Sequence, residues 1–152
     1  AQAKNWYDSG VYAIFSAAGG TGNGTIAQAK EYRVQGKNVW AIGVDSDQFQ
    51  DGIYTGNKSA VLTSMLKRVE TSTLVALKAV QAGTFKGGVV TFDTKNEGVG
   101  FSTSNPELSK AIVSKVEAVK KDIIAGKIAI VPTYAEAKAK GLVPSNLQAS
   151  DN

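Results

Sequence analysis

Apolar positions in this chain come in short blocks separated by polar and glycine-rich stretches. Residues 11–18, V-Y-A-I-F-S-A-A, form an apolar run with aromatics and predict a buried strand. A glycine-rich stretch follows. The segment T-I-A-Q-A-K-E-Y-R-V-Q-G then predicts a helix, with Ile26, Ala29 and either Val34 or the stem of Arg33 on one side and Gly36 closing it. The run K-N-V-W-A-I-G-V-D predicts a second strand ending at Asp45. Strand, helix, strand in that order points to a parallel sheet covered by helices.

Further on, D-Q-F-Q-D-G-I-Y-T-G-N-K-S-A is a polar stretch of 14 residues with two glycines, and predicts a long loop. V-L-T-S-M-L-K predicts a third strand. A helix is expected from Arg68 to Ala82, with Val69, Thr73, Leu77 and Val80 along one face and Gly83 after its end. G-V-V-T-F-D and G-V-G-F-S-T predict two short strands joined at T-K-N-E. Asn105-Pro106-Glu107 has the order of a helix start, and Leu108, Ile112, Val116, Val119 and Ile123 follow at helical spacing. Lys120 and Lys121 sit where the helix dipole favours cations, and Gly126 stops the helix. I-A-I-V-P predicts a last strand, Y-A-E-A-K-A-K-G a short last helix, and the polar tail beyond Pro144 a loose end. The opening A-Q-A-K-N-W-Y-D-S-G has no Met and resembles the tail of a helix, so the chain is expected to begin inside a larger protein.

Composition narrows the chemistry. The 152 residues suffice for one domain with a hydrophobic core, and 43% hydrophobic with 20% charged residues argues against disorder. No apolar run approaches the roughly 18 residues of a membrane helix, and no signal peptide is visible. Cys and His are both absent, which removes thiol nucleophiles, disulfides, the usual zinc sites and His-based triads. The lack of both residues supports a reading with no catalytic residue, metal or cofactor. The lack of Cys fits an exported bacterial protein and equally the many cytosolic domains that lack it. The net charge of +4 is spread over lysines on several helices, with no basic run interleaved with aromatics, so a solvated surface is expected rather than a nucleic-acid interface.

The glycine stretch S-A-A-G-G-T-G-N-G-T-I-A-Q lies where a strand hands over to a helix. A phosphate-binding P-loop needs Lys and Ser or Thr after the last glycine, but Thr25 follows Gly24 directly. The dinucleotide fingerprint, begun at Gly20 and Gly22, meets Thr25 in place of its third glycine. The signature of the tubulin and FtsZ family is approached by A-G-G-T-G-N-G, but nothing else of that fold is visible. Taken alone, the stretch reads as a tight turn in which glycine permits close packing. It has company, however. Gly19, Asp45 and Lys67 each fall at or near the carboxyl end of a predicted strand, the edge where open parallel sheets hold ligands. A carboxylate can accept one hydrogen bond from each of two adjacent hydroxyls, a lysine keeps it ionised, and glycine amides can approach a third oxygen. That set suits a vicinal diol. The plainer alternative is a surface ion pair between Asp45 and Lys67, worth about 0–1 kcal/mol.

A-A-G-G-T-G-N-G, I-G-V-D-S-D-Q, L-T-S-M-L-K-R-V and G-K-I-x-I-V-P, in this order from about Gly10 to Gly141, resemble the C-terminal half of the basic membrane protein family. These are PnrA-like substrate-binding lipoproteins of bacterial ABC transporters that import purine nucleosides. The resemblance implies an α/β type I periplasmic-binding-protein-like lobe, a mostly parallel sheet flanked by helices. Residues 1–145 would be the C-terminal lobe, 88–103 a crossing between lobes, and 146–152 a flexible tail, with the N-terminal lobe lying outside this chain. By motif, Asp45 would hold the ribose hydroxyls, Lys67 would lie at the ribose, and the backbone of Gly19 would touch the sugar. Gly20, Asp47, Gln48 and Ser64 are secondary candidates. Asp47 and Gln48 are expected to shape the loop, with Asp47 the runner-up carboxylate, and Thr63 and Ser64 to orient Lys67. Trp6 and Trp40 are expected in the core. The implied ligand is guanosine, inosine or adenosine and the implied partner an ABC permease. The protein would be extracytoplasmic, anchored through a lipid on the absent N-terminal part. A fragment with an uncovered lobe face would tend to dimerise or exchange segments. A nucleoside-processing enzyme built on Asp45, or a module that only pairs subunits, are the alternative functions.

Overall fold

The computed structural model describes residues 2–131 and 133–143, which fall into two compact units, Ala1–Lys115 and Val116–Asn152. The first unit opens with α1 (Gln2–Asp8), β1 (Ala13–Phe15), α2 (Thr21–Val34) and β2 (Trp40–Asp45). There follow β3 (Ile53–Thr55), β4 (Lys58–Ser59), β5 (Val61–Lys67), α3 (Val69–Gln81) and β6 (Val99–Phe101). Helix α4 (Lys110–Ile124) runs across the boundary, and α5 (Tyr134–Ala139) belongs to the second unit.

The main sheet has four strands in the order β1-β2-β5-β6. β1 pairs with β2 and β2 with β5 in parallel, and β6 adds an antiparallel edge to β5. Ile14, Ala41 and Val61 from the sheet meet Ile26, Ala29 and Tyr32 from α2 and Tyr7 from α1 in one buried cluster. The buried Tyr7 hydroxyl donates to the Trp40 carbonyl at 2.9 Å, which satisfies its polar end inside the cluster. Trp40 is buried as expected, and the Arg33 guanidinium stacks 4.0 Å above its ring while pairing with Glu107 at 2.9 Å. Trp6 departs from expectation: it is 44% exposed, because Tyr7, not Trp6, occupies the inward face of α1.

Several elements differ from their sequence signatures. α2 begins at Thr21, four residues before the expected start, so Gly22 and Gly24 are helical rather than loop residues. Gly22 packs beside the residue that follows β1, its would-be Cβ in ordinary contact, 3.5 Å, with the Ser16 Cβ. The long polar stretch after Asp45 contains the hairpin of β3 and β4, turned by Gly56 at φ 48°. Of the two strands expected between 88 and 103, only β6 forms. Residues 88–93 stay outside the ladder, and Val89 is 99% exposed. Here Asn96 satisfies the backbone locally, accepting from Asp93 N–H and donating to the Thr91 carbonyl, both at 2.8 Å.

Asn105 does not start a helix. Its buried amide donates to the Val61 carbonyl at 2.7 Å while its Oδ1 accepts from Glu107 N–H at 2.8 Å, forming a turn. Ser109 takes over as the starting residue, its Oγ accepting from Ile112 N–H at 3.3 Å. In the second unit, Gly126 at φ 74° ends α4 as expected, and Thr133 caps α5 by accepting from Glu136 N–H at 3.2 Å. Ile128–Val131 form no strand, since an apolar run becomes one only where it finds a ladder partner. Neither α3 nor α4 buries a residue, although both carry the apolar stripe expected of them; Leu77 is 62% exposed. The tail beyond Pro144 lies outside the described residues.

Candidate functional site

Because β1, β2 and β5 run parallel, their carboxyl ends share one edge of the sheet. Asp45 and Lys67 are the last residues of β2 and β5, and Asp45 stands opposite Leu66 in the register. Lys67 Nζ lies 2.9 Å from Asp45 Oδ1. The two side chains are 58% and 47% exposed, so the pair faces solvent. They line a cleft of about 580 Å³ together with Ser46, Asp47, Leu66 and Arg68. Asp45 has φ 69°, the left-handed region that Asp tolerates better than most residues. That backbone turn ends the strand at the edge and sends the chain away as the loop to β3. Gly19, at φ 46°, and Gly20, which precedes the first turn of α2, lie one strand over at the same edge.

The secondary candidates have structural partners. Asp47 accepts from Phe49 N–H at 3.1 Å and from the Ser104 hydroxyl in a short hydrogen bond. Burial works against ionisation of Asp47, but the bonds from Ser104, Phe49 N–H and Ser102 outweigh it and hold the carboxyl below its ordinary value of 3.8. Gln48 N–H donates to Ser64 Oγ at 3.0 Å, and Gln48 Oε1 accepts from Val44 N–H at 3.0 Å. Ser64 is entirely buried. Thr63 donates to the Ser102 carbonyl at 2.6 Å. The two hydroxyls expected to orient Lys67 thus serve the Gln48 loop and β6 instead.

Sequence reasoning passed over Arg68 and Ser104. Arg68 N–H donates to the Gly98 carbonyl at 2.9 Å, and its guanidinium lies against Gly100, where a Cβ would come within 3.1 Å of it. Its place next to Lys67 in L-K-R-V was the available signal. Ser104 stands 57 residues from Asp47, and nothing local to either residue announces their contact.

Chemically, the edge offers a solvent-facing carboxylate with an ammonium beside it. Among the described residues, no group of His, Cys, Asp and Glu could hold a metal ion. No described helix is long and apolar enough to cross a membrane.

A mostly parallel sheet flanked by helices, with polar groups gathered at its carboxyl edge, is a type I periplasmic-binding-protein-like fold. A solved ABC transporter solute-binding protein from Aeropyrum pernix shares it with a TM-score of 0.68 and 25% identity, over 88% of this chain and 44% of that one. The family described as ABC transporter substrate-binding protein PnrA-like matches residues 1–133, and the chain belongs to it. The CD4+ T-cell-stimulating antigen of Listeria monocytogenes is 38% identical over 84% of this chain and 38% of its own length. The ABC transporter nucleoside-binding protein BmpA of Lactococcus lactis is 35% identical over 82% of this chain and 37% of its own. The chain thus spans about two fifths of the length of these relatives. Family and fold are those of proteins that bind solutes without transforming them.

Proposed function

We propose that this chain is the C-terminal lobe of the substrate-binding component of a bacterial ABC importer and that it holds a purine nucleoside by the ribose. The observation that carries this reading is the Asp45–Lys67 pair, 2.9 Å apart and open to a cleft at the carboxyl edge of the sheet. Asp45 accepts from two adjacent sugar hydroxyls, Lys67 donates to a sugar oxygen, and the backbone of Gly19 approaches the sugar from the neighbouring strand end. A relative named for nucleoside binding supports the choice of ligand. The base is read by the other lobe, and an ABC permease receives the loaded protein outside the cytoplasm, where a lipid anchor retains it. The uncovered apolar face of α3 supports a second reading of the chain by itself, as a fragment that self-associates.

The test is a calorimetric titration of the full-length protein with inosine, guanosine, adenosine, cytidine and free ribose, repeated with Asp45→Ala. Tight binding of purine nucleosides, lost in the variant, is expected. A folded, ligand-free protein that binds none of them refutes the assignment.

A further inference from the structure

The least conspicuous of the residues around the cleft is the most connected. Gln48 lies in the loop after β2, and its backbone N–H donates to the buried Ser64 of β5 at 3.0 Å. Its side chain reaches back: Oε1 accepts from Val44 N–H at 3.0 Å, the residue immediately before the left-handed Asp45. Nε2 faces Asn23 Oδ1 in the first turn of α2 at 3.4 Å and Asp51 Oδ2 at 3.2 Å. Lys30 of α2 donates to the Asp51 carbonyl at 3.1 Å, so the same loop is tied to that helix twice. One side chain therefore joins the end of β2 to the helix that follows the glycine stretch, and its own backbone joins both to β5.

From this network we infer that Gln48 is a positioning residue, which sets the Asp45 carboxylate and the glycine turn before α2 in one frame without touching the ligand. The inference rests on the ribose-binding reading for its functional meaning, but its geometric content stands apart from it. A primary amide is the group the position needs. The acceptor end must meet an N–H, and the donor end must meet two oxygens, one of them a carboxylate. An unmet Val44 N–H would leave the turn at Asp45 free to relax, and the pairing of Asp45 with Lys67 would go with it. Gly43 makes room for the arrangement, since a Cβ there would stand 3.0 Å from Gln48 Oε1.

The experiment compares wild type, Gln48→Met, Gln48→Glu and Gln48→Glu/Asp51→Asn in the full-length protein, reading amide hydrogen exchange and amide chemical shifts. Gln48→Met keeps the volume and removes every side-chain bond. It is expected to lower protection of Val44 N–H by roughly tenfold and to shift the Asp45 and Gly19–Asn23 signals, while distant core amides stay protected. Gln48→Glu keeps the acceptor, so Val44 stays protected, but it sets a second carboxylate against Asp51 and disturbs the α2 end. Asp51→Asn, which supplies a donor in place of that carboxylate, is expected to restore the wild-type signals. Unchanged Val44 and Asp45 signals in Gln48→Met overturn the inference, and so does a Gln48→Glu defect that Asp51→Asn leaves in place. Inosine titration of the same proteins separates the two readings. If wild type binds, Gln48→Met is expected to bind about tenfold more weakly, and equal affinity refutes the positioning role. If wild type does not bind, the ribose assignment fails and the exchange data alone decide the role of Gln48.

Discussion

Replacing Gly43 with alanine tests how tightly the frame beneath the cleft is packed. Gly43 sits in the middle of β2 opposite Ser64 of β5 and is buried. An alanine Cβ there would lie 2.5 Å from Ser64 Oγ, 3.0 Å from Gln48 Oε1 and 3.1 Å from Gln48 Cβ. Either of two movements relieves that contact. Ser64 can rotate away, which leaves the Gln48 N–H without its acceptor at a cost of about 1–3 kcal/mol. Alternatively β2 and β5 can part, and overpacking of a dense interior also costs about 1–3 kcal/mol. The molecule takes the cheaper route. The stiffer unfolded chain returns about 0.4–1 kcal/mol, because Gly43 shows no positive φ and alanine fits its backbone. The net expectation is a loss of about 1–2 kcal/mol, read from urea unfolding as a lower midpoint at an unchanged slope. Gly24→Ala is the control. It lies in α2 with nothing within 4 Å of its would-be Cβ, and is expected to gain about 0.5–1 kcal/mol. In a Ser64→Ala background the Gly43→Ala loss should shrink by roughly 1 kcal/mol, since the nearest atom has gone. An undiminished loss in that background would refute the steric account.

Lys67→Met is expected to change unfolding stability by less than about 1 kcal/mol, because the pair with Asp45 is half exposed, yet to weaken inosine binding strongly in calorimetry. Asp47 should titrate below 3.8 in a carboxyl-resolved NMR titration, and Ser104→Ala should raise its pKa toward that value by removing a hydrogen bond to the ionised form. A depressed folded pKa contributes stability that is present above the unfolded value and lost as pH falls through the folded one, so Ser104→Ala should narrow the acid-sensitive window below pH 3.8. Burial pushes the Tyr7 hydroxyl up to about 12, so ultraviolet titration should show one tyrosine still neutral well above its ordinary value of 10. Its raised pKa contributes stability present below pH 10 and lost as pH climbs toward 12, a loss that Tyr7→Phe should abolish. The chain by itself should sediment as more than a monomer, and Leu77→Glu on α3 should reduce that association.

What the sequence disclosed and what it hid follow from how far each interaction reaches along the chain. β2 and β5 were legible because each is a compact apolar run, and parallel pairing then puts Asp45 and Lys67 at one edge without any further information. The start of α2 at Thr21 is hidden in the sequence because glycine is weak evidence for helix, and Gly22 and Gly24 both lie inside it. Asn105 deceived for a related reason. Its side chain has both a donor and an acceptor, and the donor found the carbonyls of a strand end more than forty residues earlier. Locally it offered the same Asx geometry that begins a helix, and the helix begins at Ser109 instead.

The apolar stripes of α3 and α4 make the complementary point about function. Periodicity reports that a face is meant to be covered, and both helices do form with that periodicity, yet neither buries a residue. Val89 and Val90 in the segment after α3 are exposed as well. The compact part of the first unit, by contrast, has a closed core and a fully satisfied Ser64–Gln48–Val44 frame. The ribose half of the proposed site therefore stands on the part of the molecule whose packing is complete, and mutations within that frame should act on binding through the position of Asp45. Mutations on the exposed face of α3 should act on association and leave the Asp45–Lys67 geometry alone, and the two classes can be separated by measuring Val44 exchange and sedimentation on the same variants.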